Sequence, residues 1–254
     1  MSTEGMHESV ADVEEVSVDR IQARLGFAEP LHYPESWRNR PVDKWTIDAD
    51  DVILRYVFRN FRPRRHLEFG TWAGDGVIRC VEECAATVWT INLLEGETRQ
   101  NGDWAYADSS IAAASAASEQ LTTADATWVR TDAFGMIGRK YLQRGYGTRV
   151  CQVFADSRAW DTRHYPDGFF DSVFIDGGHA VDVVQSDTRN ALRLTRRGGL
   201  MMWHDFCPLV EATEFSSSAS NVVAAIGQLR HELAASVEAL FWIRPSWILI
   251  GVRH

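Results

Sequence analysis

The stretch Val173-Phe174-Ile175-Asp176-Gly177-Gly178-His179 runs apolar for three residues and then delivers an acid and a histidine three positions apart. A carboxylate beside an imidazole is equipment for moving protons near neutral pH. The same abrupt ending recurs. HLEFG stops at Glu68 and Gly70, TVWTINLL carries Asn92, RVCQVFADS ends at Asp156 and Ser157, and LMMWHDF ends at His204 and Asp205. A single polar residue at a strand end is commonly a cap or turn residue, and a histidine at a helix start, as His179 would be, is commonly bonded to its own loop. Five such endings together indicate a site.

The elements that must position these groups alternate. HLEFG, TVWTINLL, RVCQVFADS, FDSVFIDGGH and LMMWHDF read as strands. DGVIRCVEECAA, VDVVQSDTRNALRLTRRGG and NVVAAIGQLRHELAAS read as helices, TRRGG being a solvated helix end. Strands that are continuously apolar and separated by helices imply a parallel sheet covered on both faces. VEALFWIR and WILIGVRH, with only Pro245 and Ser246 between them, add an antiparallel hairpin at one edge. The expected fold is therefore α/β and Rossmann-like, a seven-stranded, mostly parallel sheet, with ligands outside the carboxyl ends of the strands.

Three regions follow. Residues 1–16 are acidic and read as a loose terminus. Residues 17–64 form a helical extension. Its first helix, SVDRIQARLGF, has Ser17 as cap and Gly26 near its end. Its second, DADDVILRYVFRNF, has Asp48 as cap, acids in the first turn and a stripe of Val52, Ile53, Tyr56, Val57 and Phe61. Residues 65–254 form the main domain with an insertion at 98–146, where Trp104, Tyr106 and Tyr141 are candidates for a lid.

Composition narrows the partners. The chain has 254 residues, 45% hydrophobic, enough for one large core. A net charge of -9 disfavours nucleic acid, which needs a basic face, and fits a small-molecule or neutral substrate better. The four cysteines show no CxxC spacing and read as reduced and mostly buried. Without an apolar leader or membrane-length run, a cytoplasmic protein with no membrane partner is expected. A homo-oligomer stays open.

The loop after the first core strand, EFGTWAGDG, fails the dinucleotide pattern G-x-G-x-x-G, because counting from Gly74 and Gly76 puts Arg79 at the third glycine position. Its spacing is E-x-G-x-x-x-G. With this loop, the strand order and the terminal hairpin, residues 66–254 resemble the class I S-adenosylmethionine-dependent methyltransferases. FDSVFIDGGHAVDVVQSDTRNALRLTRRGGLMMWHDF is similar to the branch holding macrocin-type sugar O-methyltransferases and cephalosporin-hydroxylase-like proteins.

The resemblance implies S-adenosylmethionine as methyl donor. Glu68 would face its amino group, Gly70 and Gly74 would admit it to the backbone, and Thr71 would bond its carboxylate. Asn92 or Glu95 would hold the ribose, the usual acid being replaced by Asn92, and Asp156 with Ser157 would meet the adenine edge. It further implies that Asp176 and Asp205, with His204 in place of a second acid, bind a divalent metal, Mg²⁺ or Mn²⁺, and that His179 is the base; the imidazole either weakens that site, favours the softer Mn²⁺ or removes the metal dependence. Methyl transfer to a hydroxyl needs such a base or metal because an alcohol is a weak nucleophile. The implied activity is O-methylation of a sugar or secondary metabolite. N-methylation, a hydroxylase-type relative and a non-catalytic partner subunit are the alternatives.

Overall fold

A computed structural model of the chain describes residues 13–39, 47–93 and 137–254. Glu95, Trp104, Tyr106 and most of the expected insertion lie outside the described residues. Eight strands form one sheet: β1 (Glu14–Ser17), β2 (Arg65–Phe69), β3 (Thr87–Asn92), β4 (Val150–Phe154), β5 (Phe170–Ile175), β6 (Thr195–Trp203), β7 (Val237–Arg244) and β8 (Ile248–Arg253). The helices are α1 (Ile21–Leu25), α2 (Ile47–Phe61), α3 (Asp75–Glu83), α4 (Arg139–Gln143), α5 (Val181–Leu194), α6 (Val210–Phe215), α7 (Ser217–Gln228) and α8 (Arg230–Ala234).

The strand order is β1-β7-β8-β6-β5-β2-β3-β4, parallel except where β8 meets β6 and β7. This is the α/β, Rossmann-like architecture with an antiparallel C-terminal hairpin, extended by one strand beyond the seven expected. The extra strand is β1, which pairs Glu14–Ser17 in parallel with Phe241–Arg244. Residues 14–16 are thus ordered in the sheet rather than part of a loose terminus. Ser17 ends that strand and caps no helix; α1 begins after Arg20 and ends on Gly26, which is left-handed at φ 66°.

Alternate strand residues feed two cores, as the two-residue side-chain period requires. Val173, Ile175, Met201, Trp203 and Leu249 pack with α5 and α7 on one face. Phe174, Met202, Ile248 and Ile250 pack with α2 and α3 on the other. The face of α2 toward the sheet buries Ile53, Leu54, Tyr56, Val57 and Phe58, while Val52 and Phe61 are only partly covered.

The segment TRRGG is not a helix end. Helix α5 stops at Leu194 and Thr195 begins β6, with a register irregularity opposite Phe170 and Ser172. Arg196 there pairs with Asp171 at 2.7 Å. The cysteines divide: Cys80 and Cys207 are buried, Cys84 half-buried and Cys151 exposed. Among the described residues no helix is long and apolar enough to cross a membrane.

Candidate active site

The order of strands reverses between β2 and β5, so their carboxyl ends open the crevice in which such sheets bind ligands. The two ends meet closely. Asp176 N donates to Phe69 O at 2.9 Å, and Gly70, at φ 93°, lies against the next peptide. A Cβ on Gly70 would overlap the Asp176 carbonyl oxygen, so this glycine is required for the strand ends to meet.

Of the expected cofactor residues, Glu68, Gly70, Thr71, Gly74 and Asn92 lie around the β2–α3 loop. Glu68 is buried under the first turn of α3, against Gly76, and its Oε2 has no hydrogen-bond partner among the described residues. Burial, reinforced by the charge of Asp176, pushes its carboxyl well above the usual range. Thr71 is also buried, but its hydroxyl is engaged with Thr90 Oγ1 at 2.7 Å and with Gln152 Nε2 at 2.9 Å. The side chain of Asn92 latches this loop: Oδ1 accepts from Thr71 N and Trp72 N, both at 3.1 Å, and Nδ2 donates to Leu93 O at 2.8 Å. Gly74 sits beneath the Tyr141 ring. Asp156, two residues past β4, is ion-paired with Arg158 at 2.8 Å, Arg158 reaches Asp182 at 2.7 Å, and the Ser157 carbonyl accepts from Asn190 at 3.4 Å.

Tyr141 is no lid residue. It is buried in α4, and its hydroxyl donates to Gln152 Oε1 at 3.0 Å. Helix α4 is seated on the β2–α3 loop through Gly138 N to Trp72 O at 2.7 Å and Lys140 N to Ala73 O at 3.0 Å. Lys140 Nζ also meets Asp75 at 2.5 Å. Burial, then the charge of Glu68, pushes the Tyr141 phenol up to about 12. Trp72 is the exception in this packed loop, 51% exposed.

The second cluster lies past β5 and β6. Asp176, His179 and Asp205 each present a donor atom within 4.8 Å of the others. His179 Nε2 is 2.7 Å from Asp205 Oδ2 and 4.0 Å from Asp176 Oδ1. His204 Nδ1 is 3.1 Å from Asp176 Oδ1 and 3.5 Å from Asp205 Oδ1. Its other ring nitrogen, Nε2, is 3.2 Å from Asp50 Oδ2, a carboxylate of α2 that the sequence reading passed over as one of several first-turn acids. Asp50 Oδ1 in turn accepts from Trp247 N at 2.9 Å.

Electrostatics follow from this crowding. Burial works against a charged His204, but the carboxylates of Asp176 and Asp205 outweigh it and hold its pKa well above the histidine norm. His179 is raised in the same sense, burial opposing and Asp205 prevailing. Burial opposes ionisation of Asp205 as well, yet His204 and His179 hold it well below the carboxylate range. Asp205 is left-handed at φ 56°, a conformation that costs a non-glycine residue about 1–3 kcal/mol and persists where neighbours fix it. His204 N to Ile175 O and Phe206 N to Trp247 O, both 3.0 Å, are those fixtures.

This donor set fits a divalent cation. Oxygen or nitrogen ligands at about 2.1 Å from one ion stand roughly 3 Å apart in octahedral coordination, the spacing of His204 Nδ1 and Asp176 Oδ1. Two carboxylates with an imidazole favour Mn²⁺ over the more oxygen-selective Mg²⁺. The partnerless Glu68 oxygen likewise fits an ammonium group such as the donor's.

No curated protein matches the chain. Among solved structures it is similar to a protein assigned as a caffeoyl-CoA O-methyltransferase from Staphylococcus aureus, at 10% identity and TM-score 0.55, covering 85% of this chain and 94% of that one. It is similar to an SAH-bound methyltransferase from Podospora anserina, at 15% identity and TM-score 0.52, covering 93% and 94%. An O-methyltransferase family protein from Burkholderia thailandensis has TM-score 0.51 at 14% identity, covering 81% and 55%. At such identities these likenesses speak for the fold, which is that of the class I S-adenosylmethionine-dependent methyltransferases. The family described as "Methyltransferase domain" matches residues 67–206, more than half of the chain and the span from β2 to just past Asp205. The chain belongs to this methyltransferase family.

Proposed function

We propose that this methyltransferase uses S-adenosylmethionine to methylate a hydroxyl of a small molecule, a sugar or a secondary metabolite, with a divalent cation, Mn²⁺ or Mg²⁺, at Asp176, His204 and Asp205. The observation that carries the reading is the close set of two carboxylates and two imidazoles at the ends of β5 and β6, near enough to the buried Glu68 for the charge of Asp176 to act on it. The printed names of the structural neighbours, two of them O-methyltransferases and one SAH-bound, support it.

When bound, the donor supplies an electrophilic methyl group, and the cation lowers the pKa of a hydroxyl that it touches. The chain supplies position and proton transfer. The Glu68 carboxylate meets the donor's ammonium, and the loop fixed by Asn92 holds the cofactor against the sheet. Asp205 Oδ2, 2.7 Å from His179 Nε2, orients that imidazole and leaves Nδ1, which has no partner among the described residues, to take the hydroxyl proton.

Calorimetry with S-adenosylmethionine tests the donor assignment: micromolar binding is expected for the wild type and its loss in Glu68→Ala. A methylation screen of hydroxyl acceptors, with and without chelator, then tests the cation. Absence of binding under every metal condition refutes the donor assignment, and chelator-insensitive transfer refutes the cation.

A further inference from the structure

Asp50 lies in α2, outside the residues that match the methyltransferase family, and 154 positions from His204. Its side chain is 3% exposed and divides its two oxygens. Oδ2 faces His204 Nε2 at 3.2 Å, and Oδ1 accepts from Trp247 N at 2.9 Å in the turn between β7 and β8. The Nε2 edge of the ring is thereby held against Asp50 and away from Asp176 and Asp205. Nδ1 is the ring nitrogen turned to the site, 3.1 Å from Asp176 Oδ1 and 3.5 Å from Asp205 Oδ1.

We propose that Asp50 is the positioning residue of the cation site: it fixes the orientation and tautomer of His204 so that Nδ1 can serve as a ligand beside Asp176 and Asp205. The inference rests on the cation reading above and adds to it a role for the N-terminal helix. Outer carboxylates commonly orient a ligating histidine through the ring nitrogen remote from the ion. Here the remote carboxylate is itself held from three directions. Ile53, Leu54 and Val57 anchor α2 in the core, and the neighbouring Asp51 faces outward to Arg79 at 2.9 Å and Arg55 at 3.0 Å, pinning α2 to α3. The Trp247 amide fixes the carboxylate plane. Adjacent acids of one helix thus point opposite ways, one to the surface network and one to the site.

The test is Mn²⁺ binding, followed by the paramagnetic signal of the free ion, in full-length wild type, Asp50→Asn, His204→Ala and the double variant. S-adenosylmethionine calorimetry on each protein reports whether fold and cofactor site persist. The expected result is a 10- to 100-fold weaker Mn²⁺ affinity in Asp50→Asn, the range typical of outer-sphere carboxylates, with donor affinity unchanged. In the His204→Ala background the same change should have less than about a 2-fold effect, because Asp50 acts through that imidazole. Equal Mn²⁺ affinity in Asp50→Asn and wild type overturns the proposal, as does an equal loss in both backgrounds. If the wild type binds the donor but no Mn²⁺, the cation reading falls and this inference with it, while the donor assignment stands. Should Asp50→Asn fail to fold, nitrogen chemical shifts of His204 in Mg²⁺-loaded wild type decide: a protonated Nε2 is expected, and a protonated Nδ1 overturns the assignment.

Discussion

His66 lies at the seam of the two strands that open the site. It is fully buried on β2, directly opposite Ser172 of β5, with Nδ1 2.8 Å from the Ser172 hydroxyl and the Phe58 ring edge-on at 4.9 Å. Burial lowers its pKa from 6.5 to about 3, so the folded protein holds it neutral. The unfolded chain takes up a proton below pH 6.5 that the folded chain refuses. This contribution to stability is therefore fully present above 6.5 and is lost as the pH falls toward 3. The loss is RT ln(1 + 10^(6.5−pH)), about 2 kcal/mol at pH 5 and about 3 kcal/mol at pH 4. Against a total stability of roughly 5–15 kcal/mol, either is a large share. Urea unfolding of wild type and His66→Leu at half-unit steps from pH 7.5 to 4.5 isolates this group, since other titrations cancel in the difference. His66→Leu should be less stable at pH 7.5, by about 1–3 kcal/mol for the stranded Ser172 hydroxyl. The gap should then narrow by about 2 kcal/mol by pH 5. Two curves that stay parallel across this range would refute the claim that His66 is buried neutral at the β2–β5 seam.

Two further outcomes test the site directly. Gly70→Ala forces a Cβ into the Asp176 carbonyl at a left-handed φ, and a loss of at least about 3 kcal/mol, or failure to fold, is expected by thermal melting; a melting temperature within a degree of wild type contradicts the close approach. His179→Ala should keep S-adenosylmethionine affinity while methyl transfer falls about 10²- to 10⁴-fold, the usual weight of a general base. An unchanged turnover would remove His179 from proton transfer.

The core strands were legible because burial on both faces leaves a continuous apolar run, and each run stops where the chain reaches the crevice. Glu68, Asp176, His179, His204 and Asp205 were singled out for that reason, and the last four stand in one cluster past β5 and β6. Strand β1 was not, because Glu14-Glu15-Val16-Ser17 buries only Val16 fully and looks like the acidic terminus before it. TRRGG misled in the opposite way. Arginines and glycines suit a helix terminus, and only the partner strand, with Asp171 waiting for Arg196, makes the segment extended. Local pattern could not reveal what Asn92 does, since its partners are the backbone amides of Thr71 and Trp72 twenty residues away. The same distance hid Asp50. Its inward direction is set by the helix stripe beside it, but its target is supplied by residues near the other end of the sequence.

The pairing of β1 with β7, joining Glu14 to Phe241, has a consequence for how the protein is made. Asp50 and Trp247 link the same distant parts of the chain. A polypeptide emerging from the ribosome has its first strand and the α2 carboxylate long before their partners exist, while β2 to β6 can already assemble among themselves. Contacts of such long sequence separation form late because the loop they close is large. The nascent chain should therefore hold a largely built sheet with an open edge, and Asp50 should be without its Trp247 amide until β7 and β8 have emerged and docked.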